Sequence, residues 1–259
     1  MPLVLTHIED GIGTIVLNHG EKRNALSRAL VAAVLEALAV FRQHHTRVVI
    51  VRAPEGAAVW SAGHDVSELP QSHRDPLGWD DSLRQLIREI ENHPAPVIAM
   101  IEGSVWGGAS EVAFACDLVM AGDNVTFAIT PAKLCVPYNL SGLLTFMNAV
   151  SLHVVKEMAF TALPITAARA ERLGIINEVV PRQELTQRTY DIAHQIARNS
   201  PLSIAVMKEE LNLLANAHNL SPLTFERIQA LRRVVYNSRD YEEGIRAFLE
   251  KRRPTFTGQ

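Results

Sequence analysis

The stretch PVIAMIEGSVWGGASEVAFACDLVMA, Pro96–Ala121, decides how this chain is read. Pro96–Ile101 is an unbroken apolar run of strand length, the pattern of a strand buried on both faces. Gly107-Gly108 interrupts it, and Gly107–Cys116 reads as a helix entered through glycines. Asp117–Ala121 is apolar again and reads as the next strand. Strand, helix and strand in such quick succession imply a crossover connection and an α/β layer. The same alternation extends upstream. Leu3–Ile8 and Thr14–Leu17 read as strands paired around Asp10-Gly11. Ser27 is placed to cap a helix through about Gln43, with Leu30, Val34, Leu38 and Phe41 on one face. Arg47–Arg52 holds a short buried strand, and Trp79–Asn92 reads as a helix.

Beyond Pro164 the character changes. Thr166 caps a short helix ending at Leu173-Gly174, and a strand follows at Ile176–Val180. Helices are then expected at Gln183–Asn199, Leu202–Ala217, Pro222–Tyr236 and Tyr241–Arg252, with Ser200-Pro201 and Ser221-Pro222 as starts. The chain thus divides into an α/β core, residues 1–180, and a helical region, residues 181–259. Several faces of that region are apolar enough to pack on the core or on other subunits.

Composition excludes several classes. The 25 Lys and Arg against 28 Asp and Glu give a net charge of −3, which argues against a nucleic-acid surface. Two cysteines, Cys116 and Cys135, make neither a disulfide framework nor a four-cysteine zinc site, and suit a reducing cytoplasm. Met1–Asp10 lacks the basic start of a signal peptide. Leu134–Val155 is free of charge but is broken by Pro137, Asn139 and Gly142. It reads as a pocket wall leading into a buried helix, and no membrane span is expected. GxGxxG after a strand, GxxxxGK[ST], HExxH and GxSxG are all missing, so no nucleotide, metal or other cofactor is expected.

Two glycine-centred turns remain, Ser61-Ala62-Gly63-His64-Asp65 and Ser104–Glu111. Glycines at a helix start leave backbone N–H groups without intrahelical partners, and such a terminus attracts anions. Two such turns facing one point would cradle a developing oxyanion. Spacing alone fits two plain tight turns equally well.

The segments Lys22–Ser27, Trp60–Asp65 and Gly103–Glu111 together resemble the crotonase (enoyl-CoA hydratase/isomerase) superfamily. ITAARAERLGIINEVVP at Ile165–Pro181 and ARNSPLSIAVMKEEL at Ala197–Leu211 extend the resemblance over nearly the whole chain. It implies a spiral of ββα units with a helical C-terminal trimerisation region, assembled as a homotrimer or a dimer of trimers. It also implies an acyl-CoA thioester substrate, whose enolate is stabilised by the backbone N–H groups of His64 and Gly108. A narrower resemblance, to members that decarboxylate methylmalonyl-CoA, runs through Ser61–Pro70, Arg74–Leu86, Glu102–Glu111, Thr130–Gly142 and Tyr241–Gly258. It places substrate contacts at Ala62, Gly63, His64, Asp65, Val66, Gly108, Thr130, Tyr138 and Lys251. Hydratases of the superfamily use two glutamates to add water. Glu111 holds the first position here, but the second falls at or next to Pro131, and no carboxylate occurs between Ala128 and Ser151. Decarboxylation to propionyl-CoA and CO2 needs no such pair. An enoyl-CoA hydratase or isomerase, or a non-catalytic acyl-CoA-binding subunit, are the alternatives.

Within that resemblance His64 contributes its backbone N–H, with the imidazole as a packing group or as an acid. Glu111 is read as a structural carboxylate paired with Arg84, because a free buried carboxylate beside an anionic substrate is costly. Tyr138 is expected in the pocket. Lys251, with Lys22 and Arg23, is expected near the coenzyme A phosphates, although a cation at a helix end also suits the dipole.

Overall fold

The computed structural model describes residues 1–70, 75–218 and 221–258. Arg74, at the head of one resembling segment, lies outside them. The chain opens with a hairpin, β1 (Val4–Glu9) and β2 (Ile12–Leu17), turning through Asp10 and Gly11, both at positive φ. Helix α1 (Arg28–Gln43) follows, with Ser27 Oγ accepting the Leu30 N–H as N-cap. Three strand pairs come next: β3 (Val48–Arg52) and β4 (Val59–Ser61), then helix α2 (Ser82–Asn92); β5 (Val97–Ile101) and β6 (Ser104–Trp106), then helix α3 (Gly108–Ala115); β7 (Leu118–Gly122) and β8 (Thr126–Ala128). Helices α4 (Leu140–Ala149) and α5 (Leu152–Thr161) lead to β9 (Ile165–Thr166), α6 (Ala167–Arg172) and β10 (Glu178–Val180). Four helices complete the chain: α7 (Leu185–Ala197), α8 (Pro201–Ala215), α9 (Pro222–Tyr236) and α10 (Arg239–Leu249).

Each pair divides its strands between two sheets. The first members join a six-stranded sheet in the order β1-β2-β3-β5-β7-β10, parallel except for the opening hairpin. The second members join a smaller sheet, β4-β6-β8-β9, whose first three strands are parallel. The chain therefore winds as a spiral of ββα turns. β3 and β5 are fully buried along nearly their whole length, and their alternate residues enter two cores. Val49, Val51, Val97 and Ala99 face α1–α3, whereas Val48, Ile50, Ile98 and Met100 face α7 through Leu185 and Ala193. A strand covered on both faces has no polar side to display, which is why these runs read as continuous apolar sequence.

Several boundaries differ from the sequence reading. Helix α2 starts at Ser82, not Trp79, because Asp81 Oδ1 accepts the Leu83 N–H and caps it there. The strand expected at Ile176–Val180 shortens to Glu178–Val180, since the Val119 N–H is bonded by the Asn177 side chain. β6, β8 and β9, two or three residues long, lie inside stretches read as turn or loop. The expected buried helix after Leu134 is two helices, α4 and α5, and α4 buries only Gly142 and Phe146.

Candidate active site

The first three strands of the small sheet run parallel, so their C-terminal ends open on one side. β4 runs into Ala62-Gly63-His64, β6 into Gly107-Gly108, and β8 into Thr130. Three consecutive loops are delivered to one place by the pairing of three strands, the usual location of sites in parallel sheets.

The two glycine turns are in contact. Gly63 sits at φ +83°, and a Cβ there would collide with the Trp106 carbonyl and come 3.0 Å from Gly108 N. A Cβ on Gly108 would reach 2.7 Å from Leu83 and 3.5 Å from His64 N. Gly107, at φ +55°, gives its N–H to the Ala128 carbonyl at 2.8 Å. Among the described residues no acceptor meets the N–H of His64 or of Gly108. Gly108 opens α3, so its N–H also stands at the positive end of the helix dipole.

The segment Arg23–Leu26 braces the first turn. Arg23 and Asn24 both have φ of 52°. The Arg23 carbonyl accepts from Ala62 N, Asn24 Nδ2 donates to the Trp60 carbonyl, Ser61 Oγ donates to the Asn24 carbonyl, and Leu26 N donates to the Gly63 carbonyl. This ladder explains why an xxRNALS-like stretch accompanies the turn.

A cavity of about 380 Å³ opens over these groups. Its wall includes Lys22, Arg23, Ala62, His64, Asp65, Val66, Gly108, Thr130 and Tyr138. Gly63 lies beneath it, pressed on Trp106. Lys251 is not in the wall; Phe248 and Leu249, at the end of α10, are. Lys251 stands exposed at φ +56° just past α10, and Arg252 is tied by Glu243 and Glu250. Helix α10 reaches the cavity because Gly244 packs on Leu134, where a Cβ would come 2.6 Å from the backbone carbonyl carbon. The apolar wall residues Leu83, Val136, Phe248 and Leu249 lie within the resembling segments, but sequence reasoning named none of them as a contact.

His64 and Asp81 form a close pair, Nε2 to Oδ2 at 3.0 Å, with the ring Nδ1 3.2 Å from the Asp65 carbonyl. Burial opposes a charged ring, but Asp81 and the Asp65 carbonyl outweigh it and raise the His64 pKa above its ordinary value. Asp81 lies in the resembling segment Arg74–Leu86, but sequence reasoning gave it no role in the site.

At the far end Tyr138 packs edge-on against Phe146, ring centres 5.2 Å apart. Its hydroxyl is buried with no hydrogen-bond partner among the described residues. Burial and the nearby Glu111 charge push its pKa well up. Glu111 and Arg84 lie behind it, 1% and 5% exposed. Arg84 Nη2 approaches Glu111 Oε1 to 2.5 Å, off the axis of a hydrogen bond, while Nη1 donates to Ser141 Oγ at 3.0 Å. Burial pushes the Glu111 carboxyl up to about 7, against the opposing pull of Arg84. Pro131 lines the cavity and offers no carboxylate. The described residues hold no cluster of three or more metal-ligating side chains, and no helix among them is long and apolar enough to cross a membrane.

Residues 7–259 match the family described as enoyl-CoA hydratase/isomerase. Methylmalonyl-CoA decarboxylase of Escherichia coli is 49% identical over 247 residues, 95% of each chain. A solved structure of methylmalonyl-CoA decarboxylase in complex with 2-nitronate-propionyl-CoA superposes with a TM-score of 0.98 at 48% identity, covering 99% of both chains. A mitochondrial enoyl-CoA hydratase domain-containing protein 3 of Rattus norvegicus is 33% identical over 98% of this chain and 84% of its own. With the family matched over nearly its full length, and with that fold spiral underneath it, the chain belongs to the enoyl-CoA hydratase/isomerase, or crotonase, family.

Proposed function

We propose that this chain is a carboxy-lyase that converts methylmalonyl-CoA into propionyl-CoA and CO2. The observation that carries the reading is the pair of N–H groups, His64 and Gly108, that meet no acceptor among the described residues, together with Pro131 in the cavity wall and no carboxylate between Ala128 and Ser151. Loss of CO2 passes the C–C electron pair into the thioester carbonyl and leaves an enolate oxygen. Two fixed N–H donors stabilise that oxygen without reorganising during the step. A hydratase must also activate and deliver water with two carboxylates. Here Glu111 is held behind Tyr138 by Arg84, and Pro131 occupies the other position.

Ala62, Gly63, Asp65 and Val66 shape the thioester turn. Tyr138 and Thr130 orient the departing carboxylate, because the breaking bond must stand perpendicular to the thioester plane. A hydroxyl does this with one hydrogen bond and no cation to hold the ground state. Lys22, Arg23 and Lys251 serve the coenzyme A phosphates, the first two from the cavity wall and Lys251 from the end of α10. The reaction needs no metal, biotin or nucleotide.

The core that carries the site is residues 1–180, and residues 181–259 form the oligomerisation region, whose first helix α7 also serves the core. The exposed side chains Leu202, Leu211 and Leu214 of α8 and Leu223 and Val234 of α9 support a homotrimer or a dimer of trimers. The protein works in the cytoplasm, in line with two unpaired cysteines, Cys116 and Cys135.

The test is incubation with malonyl-, methylmalonyl- and crotonyl-CoA, with products followed by mass. Methylmalonyl-CoA gives propionyl-CoA, and hydration of crotonyl-CoA is negligible. Crotonyl-CoA turnover comparable to that of methylmalonyl-CoA would sink the decarboxylase assignment.

A further inference from the structure

We propose that Asp81 is a positioning residue that holds His64 as an imidazolium, so that the oxyanion hole carries a fixed positive charge beside its two N–H donors. The proposal rests on the decarboxylase reading and adds to it the electrostatic part of the site.

Both ring nitrogens of His64 meet oxygens that can only accept. Nδ1 lies 3.2 Å from the Asp65 carbonyl, and Nε2 lies 3.0 Å from Asp81 Oδ2. A neutral imidazole has one N–H, so it would set a lone pair against one of those oxygens. The imidazolium donates to both. The side chains of His64 and Asp81 are 14% and 13% exposed, so salt screens the pair weakly. Asp81 is itself fixed, because its other oxygen accepts the Leu83 N–H at the start of α2. One carboxylate therefore joins the N-terminus of a helix to the residue whose backbone faces the thioester.

The charges around the ring favour the cation. Asp81 faces it from the start of α2, and Glu68 faces it from the residue's own turn. Glu68 is held in place by the Arg28 N–H at 2.8 Å. Lys22 lies near Asp65, whose carboxylate is further occupied by the Ser67 N–H and hydroxyl.

Decarboxylation moves negative charge from the substrate carboxylate to the thioester oxygen. A positive charge at His64 lies at the destination of that charge. The cation at the other end, Arg84, is buried outside the cavity lining, beside Glu111 and donating to Ser141 Oγ. The asymmetry stabilises the transition state more than the bound substrate, which is the condition for a gain in kcat. The ring keeps both protons throughout; the proton taken up at carbon has another source.

Asp81→Asn separates charge from scaffold, because Asn retains an oxygen for the α2 cap. We expect kcat for methylmalonyl-CoA to fall about 10- to 100-fold, with propionyl-CoA affinity nearly unchanged. In the parent enzyme the active form is the protonated ring. Activity is therefore full at low pH and is lost as pH rises through the His64 titration, which lies above the ordinary histidine range. In Asp81→Asn that loss moves to lower pH. Nitrogen NMR of the His64 ring in the parent enzyme reads the protonation without any substrate or variant. A neutral ring at a pH where the enzyme is fully active overturns the proposal. So does an Asp81→Asn enzyme whose kcat falls while its pH profile stays in place, since Asp81 would then be a helix cap only. If the parent enzyme releases no CO2 from methylmalonyl-CoA, the decarboxylase reading fails, while the NMR result stands by itself.

Discussion

The two ends of the cavity are built on opposite terms. At the His64–Gly108 end the donors are backbone N–H groups with no acceptor among the described residues, and the side chain beside them leans towards positive charge. At the Tyr138 end a hydroxyl is buried without a partner among the described residues, and behind it Arg84 sits beside a Glu111 carboxyl that burial pushes towards its neutral form. On the proposed decarboxylase reading, one end receives the charge that arrives and the other holds the charge that leaves. The difference teaches that the donor turns and the buried carboxylate are separate parts of one cavity, so each can be altered without the other.

The largest expected effect breaks the donor end. Gly108→Pro removes one N–H, and losing an oxyanion donor costs about 10²- to 10³-fold in rate. Size-exclusion chromatography of the variant should match the parent, because the turn is distant in sequence from the apolar faces of α8 and α9. Near-normal turnover in a folded variant would show that Gly108 does not face the thioester oxygen.

The next tests the neutralised end through stability. Glu111 has its carboxyl raised to about 7 in the fold, above the ordinary carboxylate value it has when unfolded. The folded state therefore binds more protons between those two values, and stability falls as pH rises from about 4.5 to about 7. A fully buried group with that shift contributes on the order of 3 kcal/mol to the fall. In Glu111→Gln this component disappears, which denaturant melts across that pH range would show. An unchanged pH slope would mean that Glu111 stays ionised in its pair with Arg84.

The smallest effect sharpens the contrast. Tyr138→Phe keeps the ring on Phe146 and deletes a hydroxyl that is buried without a partner. Such a group costs stability when left unmade, about 1–3 kcal/mol at most. We expect the variant to melt slightly higher, while kcat drops about tenfold and propionyl-CoA, which lacks the carboxylate, binds as before. If both CoA esters weaken equally, or kcat is intact, Tyr138 is a packing residue.

Much of the architecture was legible because burial on both faces writes itself as apolar runs. Val48–Val51 and Pro96–Ile101 could be recognised from composition alone, and Ser27, Thr166, Ser200 and Ser221 announced their helices as N-caps. The short strands β6, β8 and β9 were not legible. Strands of two or three residues carry no periodicity, and only the partner across the sheet defines them. The start of α2 was placed three residues early, at Trp79, because the sequence reading took Asp80 and Asp81 into the helix, where the fold uses Asp81 as its cap.

The candidate site shows the same division. Residues whose chemistry lies in the backbone were marked in the sequence by glycine: Gly63, Gly107 and Gly108 stand where positive φ or close approach excludes a Cβ. The missing second carboxylate near Pro131 was also plain, because absence of a residue type needs no coordinates. The sequence by itself thus determined the spiral of strands and helices, the two turns and the class of chemistry they admit. Tertiary structure alone decided that the turns pack so closely that a Cβ on Gly63 would come 3.0 Å from Gly108 N, that Gly244 lets α10 close on Leu134, and that Asp81 comes to rest on His64. Those are contacts between segments far apart in the chain or on different elements. Their distances are set by how sheets, helices and loops pack, and no local pattern of residues encodes a distance across a cavity.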